Sequence, residues 1–309
     1  MPGTLPVDLG GLALRSPIVV ASGCAGTGKE VGPLLEPAGL GALVSRSITL
    51  APRTGSAGPR VAETPSGLLW SVGLQNPGVA AFVQDELPRL VRTGVPVIVS
   101  VTGGSLEEFV AVTSRVHVAP GVVAIEAHLD RPDEELDRPS FCARPERAAE
   151  VAGAVARMSR LPVFAKLPCL LPDLGDAARS CVRAGVHGLT VAGGLPAMGV
   201  DAKRGRPALG SVAGWLSGPA IRPVALRAVF EVARAVPGVP LMGGGGVTTG
   251  PEAAELLLAG AWAVQVGTAT LVDPGAPARI AEGVAAYLEA HGLSSPADLR
   301  GGLRTGDGP

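Results

Sequence analysis

Aromatic side chains are scarce in this sequence, at 3% of 309 residues. That argues against stacking platforms for single-stranded nucleic acid. A charge excess is missing too, because 26 Lys and Arg meet 27 Asp and Glu for a formal net charge of -1. No field of one sign draws the chain to nucleic acid or to an anionic membrane. No apolar run reaches the roughly 18 residues of a membrane span. Met1 to Gly10 lacks the basic and apolar regions of a secretory leader, so the chain is expected in the cytoplasm. The four cysteines, Cys24, Cys142, Cys169 and Cys181, lie far apart with no Cys-x-x-Cys pair. This spacing fits reduced thiols and excludes a disulfide framework or a zinc site, so no metal is expected. What the chain has is apolar residues, 47% of the total, enough for a large core.

Short apolar, β-branched runs recur between helix-length segments. The runs are Ile18–Ala21, Ala42–Ser47, Val95–Val101, Val122–His128, Pro162–Leu167, Gly188–Ala192, Val239–Gly243 and Ala263–Gly267. Most are nearly continuous in hydrophobicity, as buried parallel strands are. Candidate helices between them are Lys29–Glu36, Val79–Arg92, Leu106–His117, Pro145–Ser159, Leu174–Ala184, Ala220–Ala235, Gly250–Ala259 and Pro277–Ala290. The alternation predicts parallel pairing with right-handed crossovers, and eight such units close most naturally into a single-domain (β/α)8 barrel. An open doubly wound sheet is the alternative. The expected barrel spans 1–295. The residues through Leu14 form a plug or hairpin at its bottom, and 296–309 form a disordered tail.

Three segments exceed an ordinary connection: Thr49–Pro77, Leu129–Arg144 and Gly193–Gly218. All follow strand C-termini, the face on which barrel enzymes keep their active sites, and are expected to be substrate loops. Strand seven ends in Gly243-Gly244-Gly245-Gly246 and strand eight in Gly267-Thr268. Ser217-Gly218-Pro219 opens the intervening helix. One glycine run is only a tight turn, but three such pieces at one barrel corner predict a phosphate held on backbone amides. Lys166, in Phe-Ala-Lys-Leu-Pro, stands inside a strand, where a lysine is costly unless paired or functional.

The strings Ala21-Ser22-Gly23-Cys24, Glu63-Thr64-Pro65-Ser66-Gly67, Gly73-Leu74-Gln75-Asn76-Pro77-Gly78 and Leu216-Ser217-Gly218-Pro219 resemble the class 1 dihydroorotate dehydrogenases, the B subclass most closely. The resemblance runs from about Val7 to Leu288. It implies an FMN-bearing barrel that oxidises or reduces a CH–CH/C=C bond beside a carbonyl. Ala21, Ser22 and Gly23 would lie against the flavin, with Lys166 beside it. Gly218, Gly244, Gly245, Gly267 and Thr268 would hold the phosphate. Arg46 stands where the family has a lysine that touches both flavin and substrate. A cation such as Lys166 beside the flavin ring stabilises its anionic reduced form. The resemblance also implies a homodimer and an iron–sulfur flavoprotein subunit as electron partner.

The substrate side departs from that pattern. Where the family has Asn-x-Ser-Cys-Pro-Asn, this chain has His128-Leu129-Asp130-Arg131-Pro132-Asp133. Arg131 takes the place of the cysteine base and cannot accept a proton. His128 and Asp133 replace two asparagines that grip the substrate, and Gly193-Gly194 replaces another asparagine and its neighbour. Asn76 alone remains. Replacing a catalytic base typically costs 10²–10⁴-fold in rate, so a substrate other than dihydroorotate, bulkier and from specialised metabolism, is expected. His128, Asp130 and Lys166 are candidates for proton and charge work. Arg46 and Arg131 are candidates to grip an anionic group. Two alternatives stay open: a dihydroorotate dehydrogenase of pyrimidine biosynthesis with a substituted base, and a non-redox binding module.

Overall fold

The computed structural model describes residues 5–130, 140–304 and 306. Eight parallel strands close into a barrel in sequence order. They are β1 Ile18–Val20, β2 Ala42–Val44, β3 Val97–Val101, β4 Val122–His128, β5 Val163–Leu167, β6 Gly188–Val191, β7 Leu241–Gly244 and β8 Ala263–Val266. β8 pairs with β1, which closes the ring and removes the open-sheet alternative.

The strands are buried on both faces because two apolar shells share them. Outward residues pack under a helical layer that includes α1 Leu106–Val116, α2 Pro145–Met158, α3 Leu174–Arg183, α4 Arg222–Ala235, α5 Gly250–Leu258, α6 Thr268–Val272 and α7 Ala276–Ala290. Inward residues, among them Val19, Ile98, Ala124, Phe164 and Met242, form a second cluster inside the barrel. Leu9, Leu12 and Leu14, from the hairpin Val7–Asp8/Ala13–Leu14, join that cluster and stopper the bottom. Local chemistry sets the helix starts. Pro145 sits in the first turn of α2, and Thr249 and Glu252 form a capping box on α5.

Several expectations need correction. Lys29–Glu36 is not an α-helix. Two 3₁₀ turns, Gly32–Leu34 and Pro37–Gly39, occupy this region, because Pro33 and Pro37 suit first turns but interrupt a longer ladder. The long connections after β2 and β6, expected to be substrate loops, carry strands of their own. Val61–Thr64, Gly67–Trp70, Gly214–Ser217 and Leu195–Ala197 assemble an antiparallel sheet over the barrel mouth. The stretch after Ser295, expected to be disordered, starts with a helix, α8 Pro296–Leu299, capped by Ser295 and Asp298. Leu299 is buried against α5 and the Gly301 amide donates to the Leu257 carbonyl at 3.1 Å, so the segment is tied down.

Candidate active site at the barrel mouth

The three phosphate-corner pieces converge. The Gly218 backbone has φ +96°, and a Cβ there would stand 2.9 Å from Gly67 Cα and 3.4 Å from Thr268 Cγ2. Only glycine meets both demands at little cost. Thr268 Oγ1 donates to Ser217 Oγ at 2.9 Å, and Trp70 Nε1 donates to the same oxygen at 3.1 Å. The overlying sheet is thereby tied to the start of α6. A Cβ on Gly246 would approach the Gly218 carbonyl to 2.8 Å, which brings the β7 turn to the same corner.

The loop after β1 lies next to it. The Ala21 amide donates to the Val266 carbonyl at 2.9 Å, and Ser22 Oγ donates to the Ser45 carbonyl at 2.8 Å. Ala21, Ser22 and Gly23 therefore form one rim with Arg46 and Gly267. Arg46 is partly engaged already. Its Nη1 donates to the Gln75 carbonyl at 3.3 Å and its Nε lies 3.6 Å from Glu86 Oε2. Burial pushes the Glu86 carboxyl above its usual range, against the opposing pull of Arg46.

Inside the mouth, His128, Lys166 and Thr190 are register neighbours across β4, β5 and β6. His128 Nδ1 is 2.9 Å from Ser47 Oγ, which in turn is 2.9 Å from Ser100 Oγ. Lys166 Nζ lies 3.3 Å from Glu126 Oε1, and Gln265 Nε2 donates to Glu126 Oε2 at 2.8 Å. Thr190 Oγ1 and Gln265 Oε1 are buried and have no hydrogen-bond partner among the described residues. Buried polar groups are nearly always partnered, so these two atoms are suited to a polar ligand.

Asn76 is placed differently from a free ligand-binding amide. Its Nδ2 donates to Thr49 Oγ1 at 2.9 Å and the Leu74 carbonyl at 2.8 Å. Its Oδ1 accepts from the Thr49 amide at 3.2 Å and the Gly78 amide at 2.9 Å. All four directions are taken inside its own loop. Gly193 has φ +148° and open space where a side chain would stand. Nearby, a cavity of about 310 Å³ is lined by residues that include Asp130, Cys142, Pro168, Leu171, Gly194 and Trp215. Burial raises the Asp130 carboxyl above its ordinary range, with a Ser140 hydrogen bond opposing. Arg131 and Asp133 lie outside the described residues.

No thiol is prepared to act as a base. Burial pushes Cys24 up to about 11, Cys169 and Cys181 up to about 12, and Cys142 well above the usual thiol range. Among the described residues no cluster of His, Cys, Asp and Glu is arranged to hold a metal, and no helix is long and apolar enough to cross a membrane.

The sequence reading missed Glu126, Ser47, Ser100, Thr190 and Gln265. Glu126 carried a usable signal. It is a charged residue inside an apolar strand, as conspicuous as Lys166.

The dihydroorotate dehydrogenase family model matches residues 4–288. The chain belongs to the dihydroorotate dehydrogenase family. Family members are FMN-dependent oxidoreductases acting on a CH–CH bond. The chain is 46% identical over 301 residues to the protein named dihydroorotate dehydrogenase B (NAD(+)), catalytic subunit, of Desulforudis audaxviator, covering 97% of this chain and 98% of that one. It is 40% identical to the protein of the same name from Geotalea uraniireducens, with 97% and 98% covered, and 40% identical to that of Anoxybacillus flavithermus, with 96% and 95% covered. The residues at the mouth fit the family cofactor. A glycine corner that a Cβ would fill adjoins two buried, unpartnered polar atoms and a strand-borne ammonium group.

Proposed function

We propose that this chain binds FMN and oxidises or reduces a C–C/C=C bond beside a carbonyl in a substrate other than dihydroorotate. The observation that carries the substrate reading is Asn76. It is the one asparagine kept from the family's substrate grip, and its carboxamide is consumed within its own loop. On the connection after β6, glycines stand at 193–194 in place of an amide and its neighbour, and the 310 Å³ cavity that Gly194 lines suits a bulkier and more apolar ligand than a pyrimidine.

FMN supplies hydride acceptance and donation when bound. The chain supplies the rest. Main-chain amides around Gly218, Gly244, Gly245, Gly267 and Thr268 hold the phosphate. Ala21, Ser22 and Gly23 wall the ring, and Lys166 places positive charge at its edge. His128 is the acid–base group in place of the absent cysteine. Its Nδ1 lies 2.9 Å from Ser47 Oγ, which orients the ring at the mouth for proton transfer. Arg46 and Arg131 attract an anionic substrate group, with Asp130 and Asp133 on the same loop. By family likeness the chain forms a homodimer and passes electrons to an iron–sulfur flavoprotein subunit.

The names of the relatives favour a second reading, dihydroorotate oxidation with His128 as the substituted base. The two readings separate in one experiment. FMN-loaded protein is reduced with dithionite and mixed anaerobically with cyclic and aryl enones, and with orotate. Reoxidation of the yellow colour by an enone but not by orotate is expected. Reoxidation by orotate alone supports the second reading and rejects the first.

A further inference from the structure

Glu126 is fully buried at the mouth, and the chemistry above assigns it no part. Its two oxygens are separately anchored: Oε1 to the Lys166 ammonium at 3.3 Å and Oε2 to the Gln265 amide at 2.8 Å. The three residues come from β4, β5 and β8, so the network crosses the barrel interior. Gln265 is thereby oriented with its Nε2 toward the carboxylate, and its Oε1 has no partner among the described residues. Lys166 is itself mostly buried, with 12% of its side chain exposed. A buried ion pair is weak evidence for stability, since well-packed apolar residues usually serve as well or better. Its placement beside the ring-binding rim points to an electrostatic task.

We propose that Glu126 is a positioning residue that holds Lys166 at the barrel mouth and offsets its charge, so that the pair together sets how readily a bound flavin accepts electrons. The proposal rests on the FMN reading above. Charge near the ring edge is one of the means by which a protein tunes a flavin. In a site shielded from water such a charge acts with little screening. Glu126→Gln keeps the shape and an acceptor for Lys166, lets Gln265 turn its Oε1 to the new amide, and leaves the ammonium uncompensated. The flavin then becomes easier to reduce. Lys166→Met leaves the carboxylate uncompensated and makes the flavin harder to reduce. The double variant restores neutrality.

The test is the two-electron midpoint potential of FMN-loaded protein, titrated against reference dyes, with FMN affinity followed by flavin fluorescence. Glu126→Gln is expected to raise the reduced-to-oxidised ratio at fixed poise about tenfold, or ~30 mV, and Lys166→Met to lower it by a similar factor. The double variant is expected to return to the wild-type value. Shifts of the same sign, or no shift in Glu126→Gln with FMN bound, overturn the proposal while leaving the FMN reading intact. Wild-type protein that takes up no FMN defeats both. If Glu126→Gln fails to fold, Gln265→Leu withdraws one donor from the carboxylate and is expected to make the flavin harder to reduce. An unchanged or raised potential there overturns the proposal.

Discussion

Asn76 and Asp130 show how far residue identity and residue role diverge. Asn76 reads as a ligand-gripping amide in sequence, yet its four hydrogen bonds all close its own loop. Asn76→Ala is expected to cost about 2–6 kcal/mol, at roughly 0.5–1.5 kcal/mol for each lost bond. Chemical denaturation measures this. Unchanged stability with weakened substrate binding would return Asn76 to the ligand. Asp130 holds its proton more tightly when folded, because burial raises its pKa. Between the unfolded value, near 3.9, and the raised folded one, the native state binds more protons, so stability falls as pH rises. Asp130→Asn has no proton to lose. Its Tm is expected to exceed wild type at pH 7, with the gap closing as pH falls toward about 4. A gap independent of pH contradicts the assignment. Glu126 was overlooked for the opposite reason. One charge in an apolar strand is informative, but its partner lies 40 residues away, and only the pairing of β4 with β5 makes them neighbours.

Among the elements, the barrel strands were legible because a strand buried on both faces leaves a continuous apolar run. The mouth sheet was not. Its strands are three to four residues, interrupted by Gly and Pro, and pair between segments some 147 positions apart. The 3₁₀ turns in place of the first expected helix show the same limit, since Pro33 and Pro37 make stop and start signals that periodicity alone overrides. The glycine corner was readable as a corner, yet its reliance on Gly218 belongs to the assembled elements. Gly218→Ala puts a Cβ 2.9 Å from Gly67 Cα at φ +96°. The mouth sheet must shift away from α4 and α6. FMN affinity is expected to fall at least tenfold in a fluorescence titration, with the barrel's far-UV circular dichroism unchanged. Wild-type affinity would place the phosphate elsewhere.

At the scale of the whole molecule, the barrel separates what is kept from what is altered. The lower interior, sealed by the Leu9, Leu12 and Leu14 hairpin, is apolar, and the polar layer of Glu126, Lys166, Thr190 and Gln265 stands above it. Of this layer the sequence singled out Lys166 alone, while the family strings announced the phosphate corner beside it. The 310 Å³ cavity proposed as substrate chamber is lined by Asp130, Cys142, Gly194 and Trp215 among others, next to where the family pattern breaks in the sequence. Sequence alone showed that break as substituted letters. It did not show the open space at Gly193 or the engagement of Arg46 by Glu86. In the proposed function a cofactor frame is retained beneath a rebuilt chamber. Anaerobic stopped-flow mixing of FMN-loaded protein with dihydroorotate tests that claim most directly. One FMN per chain, with its yellow absorbance unbleached by millimolar dihydroorotate over many seconds, is the predicted result. Bleaching within the first second, with stoichiometric orotate formed, would contradict it.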